Sequence, residues 1–367
     1  MFFYIVLLVL FVTFSWGFVD ANMPLSKIEA LQQIIFSKTV YPTAWYVASV
    51  ALLISWYLWV LYRIRKGLLK SKHVWYLIGL TTAILMWSYP AMSNDVFNYI
   101  ATAKLTYYWK ENPYLVMPIE IPNESMLVFL QAANKVALYG PVWIILTAIP
   151  HFLGIGNLLA TLFTFKLFII SWYCVLCYLI WIASGKKPWP LAFFALNPLV
   201  TLSTLVDGHN DVVMMALALG SFLYLKRGNF FICILLLLAS ILIKGATFFL
   251  VPVFFWSAYV TWKKKTLSWQ HVWYWASIAM YIIFLLSPIR EEIYAWYFIW
   301  PLTFLALVDK PTILHALSYG FSLGLMLRIV PFFYTRSWSG VTPLVKKIVT
   351  FVPPVISSIF YAKTRRR

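Results

Sequence analysis

Residues 203–222, STLVDGHNDVVMMALALGSF, set Asp207, His209, Asn210 and Asp211 between two apolar runs. Acidic residues number only 11 among 367, so two of them four positions apart in such surroundings need a reason. They either mark the loop between two membrane helices or belong to a reaction centre. The surrounding composition and the other polar groups on the same side decide between these readings.

The chain is 63% hydrophobic, 19% aromatic and 11% charged, outside the range of soluble domains. Apolar runs recur along its length, and a bilayer core needs roughly 20 residues per helix. The fold class is therefore all-α, a polytopic membrane helix bundle built as a single integral-membrane domain over residues 1–367. No hydrophilic block is long enough for a separate soluble domain. The net charge of +18 would suggest nucleic acid in a soluble protein; here it belongs to cytoplasmic loops, and the surrounding partner is membrane lipid. The opening run, 2–19, reads as a retained first helix rather than a signal peptide: no basic residue precedes it, and Val19-Asp20-Ala21 is a marginal cleavage site. Cys174, Cys177 and Cys233 all fall in apolar spans, where cysteine is small apolar filler.

Basic clusters orient the chain. They lie at 63–72, 186–187, 226–227, 263–265 and 363–367, and if all are cytoplasmic the spans between them come in even numbers. Spans at 2–19, 44–62, 73–92, 158–183, 189–206, 211–225, 230–243, 246–261, 269–287, 294–308, 312–333 and 345–361 satisfy this. The bundle then has about twelve helices with both termini cytoplasmic, as a multi-pass plasma-membrane protein. YGPVWIILTAIPHFLG, short and with proline near each end, is re-entrant or lies at the outer surface. Every acidic residue except Asp309 then falls on the outer side. Acidic residues have little influence on orientation, so this segregation points to polar work at the outer face.

The outer region spans 93–157. It begins with Asn94-Asp95 directly off the third span, continues as an amphipathic tyrosine-rich helix at the interface, and reaches a helix end at Asn112-Pro113-Tyr114. Asp95 is either an N-terminal helix cap or a partly desolvated carboxylate available as a base. In the same way Asn210 or Asp211 caps the next span, or Asp207, His209 and Asp211 take part in chemistry. Metal binding by these three would need an irregular backbone, because they stand two apart; a divalent metal is not favoured and no cofactor is implied. Lys244, beside Gly245 and before Pro252, snorkels outward or meets an anion. Arg290 to Glu292 lead into YAWYFIWPL, an aromatic cluster.

The order SNDVFNYI, NPY, YGP, NPL, DGHND, LIKGATFFLVP, AWYFIWPL resembles the GT-C superfamily of integral-membrane glycosyltransferases. It looks closest to the polyprenyl-phosphate-mannose-dependent mannosyltransferases, including the actinobacterial α-1,6-mannosyltransferases and, more distantly, the enzyme adding the first mannose to GPI anchors. The likeness runs from about Trp87 to Pro301. It implies inverting transfer of a hexose, mannose first among the candidates, from a polyprenyl-phosphate sugar donor to an extracytoplasmic glycan or lipid acceptor. By position, Asp95 matches the catalytic aspartate, and Asn197-Pro198 with Gly208 to Asp211 a second outer region. Lys244 matches a basic residue ahead of a proline-containing span. The resemblance assigns Asp95 as base, Lys244, Arg290 and His209 as donor-phosphate contacts, and Asn94, Asp207, Asn210, Asp211, Tyr114, Trp296, Tyr297 and Trp300 as the substrate rim. The early motif departs from many relatives in carrying one aspartate rather than an acidic pair. A transporter or flippase for a lipid-linked or sugar substrate is the competing class, since intramembrane ionisable residues suit it too. Against it, the polar residues gather at one face and no paired interrupted spans relate the two halves.

Overall fold

The structure, a computed structural model, describes residues 2–17, 39–290 and 292–365, with the side chains of Arg290 and Arg365 excepted. The marginal cleavage site at Val19 to Ala21, and Asp20, Glu29 and Glu291, lie outside the described residues.

All regular structure among the described residues is helical. In chain order the helices are α1 (Phe2–Gly17), α2 (Val40–Arg65), α3 (Ser71–Leu85), α4 (Asp95–Tyr107), α5 (Pro141–Leu153), α6 (Leu158–Ala183) and α7 (Pro188–Ala195). They continue with α8 (Pro198–Thr201), α9 (Asp211–Lys226), α10 (Phe230–Ile241), α11 (Val251–Trp262), α12 (Trp269–Arg290) and α13 (Ile299–Leu305). The last three are α14 (Ile313–Leu327), α15 (Val330–Thr335) and α16 (Thr342–Arg365).

Each of the twelve segments expected to span contains helix. Six helical stretches are long and apolar enough to cross a membrane by themselves, or seven if the bent pair α7 with 198–206 counts as one. Helices α1, α5 and α10 and the stretch 295–305 are apolar but shorter. The third expected span, drawn to residue 92, stops at Leu85. Pro90 pushes its predecessor out of helical geometry, and the freed backbone groups of 85–92 are taken up by buried side chains described below. Helix α4 likewise ends at Tyr107, ahead of Asn112, where Lys110 turns the chain with φ of 60°. Most of α4 is buried against α5 and α6.

The linkers rich in basic residues meet at one end of the bundle. Ser71 donates to the Lys186 carbonyl at 3.0 Å, and Lys187 pairs with Asp309 at 2.7 Å. The Arg65 guanidinium lies over the Trp189 ring, and the Asp309 N–H donates to Gln270 at 2.9 Å. At the opposite end the chain is irregular, and there the polar residues collect.

Two close approaches fix that irregular end. A Cβ at Gly320 would meet Pro354 Cα at 2.3 Å, and one at Gly324 would meet the Thr350 carbonyl at 2.6 Å. This small-xxx-small pair lets α16 lie in backbone contact with α14, the arrangement membrane helices use where burial from water cannot drive association. The second approach joins the loop before α5 to the end of α10: the N–H groups of Gly140 and Val142 donate to the carbonyls of Ile243 and Leu242 at 3.0 and 3.2 Å. A Cβ on Gly140 would sit 2.0 Å from the Leu242 oxygen. The contact anchors the residues immediately before Lys244. Farther out, Lys104 pairs with Glu124 at 2.8 Å and ties loop 108–140 back to α4. Burial alone would raise the Glu124 carboxyl, but Lys104 and the Met126 N–H hold it below its usual value.

Candidate active site

The site is built by a span that does not run straight. Between α7 and α8 the axis bends by 54° at Asn197-Pro198. Proline cannot donate to the preceding turn; Asn197 closes the break by accepting from the Leu199 N–H at 3.0 Å and donating to Ser322 at 2.9 Å. Past α8 the chain widens into a π-type turn over Leu202–Val206, a device that re-aims side chains at functional sites. It delivers Asp207, then Gly208 at φ of +73°, where a side chain would be strained and would press on Val96. His209, Asn210 and Asp211 follow, all fully buried.

Asp207 and a buried lysine hold the segment leading to Asp95. Asp207 Oδ1 accepts from the N–H groups of Ala91 and Met92 at 2.9 and 3.0 Å. Lys166, from the middle of α6 and 1% exposed, donates to the Leu85 carbonyl at 3.3 Å, to Ser88 Oγ at 2.9 Å and to the Ser88 carbonyl. An ammonium inside an apolar bundle is costly unless its protons are satisfied; here all three contacts go to the unwound end of α3. The Asp95 N–H then reaches Ser93 Oγ at 3.3 Å, while the Asn94 amide donates to the Phe129 carbonyl rather than capping the helix.

Asp95 opens α4 with a quarter of its side chain exposed, facing His209, whose Nδ1 lies 3.5 Å from Asp95 Oδ2. His209 stacks on Trp296 at 3.8 Å between centroids, and Trp296 stacks on Tyr294 at 4.6 Å. Neither ring nitrogen of His209 has a hydrogen-bond partner among the described residues. A carboxylate flanked by a buried imidazole, partly shielded and open to a cavity, has the surroundings of a general base.

Lys244 stands nearby. Its ammonium reaches both Asp211 oxygens at 3.1 and 3.3 Å and lies over the rings of Tyr297 and Trp300. Trp300 Nε1 donates to Asp211 Oδ1 at 2.6 Å. A second charged group lies at the foot of α12 and on α14 and α16: Arg328 Nη2 and Lys346 Nζ both contact Glu292 Oε1 at 2.6 Å. Arg328 also donates to Thr350 Oγ1 at 3.1 Å, which the glycine contact between α14 and α16 makes reachable.

Both charged groups open on one cavity of about 800 Å³. Asn94, Asp95, Asp207, Lys244, Trp296, Tyr297 and Trp300 all border it, with Glu292, Arg328, Arg336 and Lys346 added from the C-terminal part. Its apolar wall comes from Ile283 and Leu286 of α12 and from Leu325, Ile329, Phe332 and Phe333 of the α14–α15 region.

The remaining sequence-derived residues stand back from this space. His209 lies behind Asp95, fully buried and outside the lining. Asn210 accepts from the Tyr99 hydroxyl at 3.2 Å, and Asp211 anchors Lys244; neither borders the cavity. Tyr114 is 41% exposed and donates to the Tyr139 carbonyl, outside the lining. Arg290 ends α12 with its side chain outside the described residues. The sequence reading missed Lys166, Arg328, Arg336 and Lys346. A lone lysine midway along an apolar helix was the available signal for the first, and Gly320-x-x-x-Gly324 ahead of Arg328 for the cluster.

A family model described as alpha-(1->6)-mannopyranosyltransferase, N-terminal domain, matches residues 3–260. No curated protein and no solved structure matches the chain.

Proposed function

The chain belongs to the alpha-(1->6)-mannopyranosyltransferase family, a membrane glycosyltransferase by that membership, and from this premise we propose that it moves mannose from a polyprenyl-phosphate donor to a hydroxyl of an extracytoplasmic glycan or lipid acceptor, with inversion. Asp95 takes the acceptor proton as the acceptor oxygen attacks the anomeric carbon. The bond from that carbon to the phosphate oxygen breaks on the opposite face, and the polyprenyl phosphate departs with one more negative charge. Cations on the cavity wall stabilise that charge as it grows. His209, stacked on Trp296, packs behind the carboxylate, and the aromatic strip 294–300 offers flat faces to a sugar ring. The site faces outward in this reading, opposite the basic linkers.

The observation that carries the proposal is the sharing of one cavity by Asp95, several cations and an apolar wall. Such a space accepts a sugar, a phosphate and a prenyl chain together. Asp95→Asn keeps shape and much of the hydrogen bonding but cannot accept the proton. Turnover by purified protein should fall by about 10²- to 10⁴-fold with thermal stability and donor affinity retained. Near-native turnover in this variant would remove Asp95 from the chemistry.

A further inference from the structure

We propose that the donor phosphate is held by Arg328 and Lys346, with Arg336 beside them, rather than by Lys244; this rests on the prenyl-phosphate donor proposed above. Lys244 is answered one-for-one by Asp211, which grips it with both oxygens and is itself buried. Among the described residues, Arg328 and Lys346 share a single oxygen of a single carboxylate, Glu292. Their side chains are only 12% and 10% exposed, so a surplus positive charge sits largely out of water with a cavity in front of it. Buried surplus charge is costly until an anion arrives, and a prenyl-linked phosphate, singly charged while it carries the sugar and doubly charged once the sugar has left, relieves it.

The wall next to the cluster carries Leu286, Leu325, Ile329, Phe332 and Phe333. An anion binding there lies against apolar surface suited to a prenyl chain; Lys346 has one ring, Trp338, against its ammonium, whereas Lys244 is hemmed by two, Tyr297 and Trp300.

Inverting displacement places the base and the leaving phosphate on opposite faces of the sugar. Lys244 lies over Tyr297 and Trp300, and His209, behind Asp95, stacks on Trp296, so both stand along residues 296–300. Glu292 lies just ahead of the aromatic strip, four positions from Trp296, a reach of about 14 Å at most for extended chain. A phosphate at Arg328 and Lys346 puts the attached sugar along the aromatic strip with Asp95 beyond it.

The test is equilibrium binding of radiolabelled farnesyl phosphate to the full chain in phosphatidylcholine nanodiscs, with farnesol as the uncharged control. Arg328→Gln with Lys346→Gln should weaken farnesyl phosphate about 10- to 100-fold and leave farnesol unchanged. Lys244→Gln should change the phosphate affinity by less than about threefold. Glu292→Gln removes the counter-charge and should tighten binding, an outcome that misfolding cannot imitate. Retained affinity in the double variant, or weakened affinity in Glu292→Gln, would overturn the assignment. So would displacement of farnesyl phosphate by an equal amount of phosphatidylglycerol, which would mark a general lipid-headgroup site. Binding is read without turnover, so the two readings fail separately. A wild type that binds as described but forms no glycoside defeats the transferase reading; one that transfers mannose while the double variant binds normally defeats this assignment alone.

Discussion

Lys244 and the Arg328–Lys346 pair both present cations to the same cavity, yet their surroundings differ. Lys244 has a buried carboxylate of its own, an indole N–H bracing that carboxylate, and two rings against the ammonium. Arg328 and Lys346 divide a carboxylate that is 40% exposed. Counter-charge and burial together therefore decide what a cation does: the first is locked as part of the scaffold, and the second keeps charge to spend on a ligand. The family match ends at residue 260, so Lys244 falls within the shared portion and the surplus charge outside it.

Removing the locked carboxylate should have the largest effect on stability. Asp211→Asn leaves the Lys244 ammonium without its partner in a site with little water, and breaking a buried pair costs on the order of 3 kcal/mol. Glu292→Gln should cost less, about 1–2 kcal/mol: its carboxylate is 40% exposed and partly solvated, although Arg328 and Lys346 lose a partner. Denaturation in detergent, followed by the loss of tryptophan signal, reads both. Equal losses would mean the two cation sites are not different in kind.

A smaller effect isolates one site from the other. Gly140→Ala drives a methyl group into the Leu242 carbonyl, and overpacking of this sort costs about 1–3 kcal/mol. The strain falls on the residues that carry Lys244 and is remote in sequence from α14 and α16. Mannosyl transfer should drop while farnesyl phosphate binding stays within about twofold of wild type. A matching loss of binding would tie the two sites into one unit.

Much of this was legible in the sequence because the signals were of one kind, charge in apolar surroundings. Asp95, Asp207, Asp211 and Lys244 were visible for that reason, and they converge. The helical segments were visible from run length. Their ends were not: Pro90 and the needs of Lys166 stop α3 at Leu85, and contacts between residues about 80 positions apart are not written in a local pattern. Arg328 and Lys346 escaped for a related reason. Each alone reads as a basic residue near a helix end, snorkelling toward water. Only the glycine-mediated contact of α14 with α16 brings them to Glu292, across 36 and 54 positions of sequence. His209 was found but not its stacking on Trp296, which follows from the π-type turn and residues 294–300 meeting in space.

The most direct test of the account is a chemical one on the wild-type protein, reconstituted and supplied with polyprenyl-phosphate mannose labelled in the sugar together with a glycan acceptor. The account predicts label in a new glycoside, with the anomeric configuration opposite to that of the donor and polyprenyl phosphate released in equal amount. Label that crosses the bilayer still attached to its prenyl phosphate, with no glycoside formed, would contradict it.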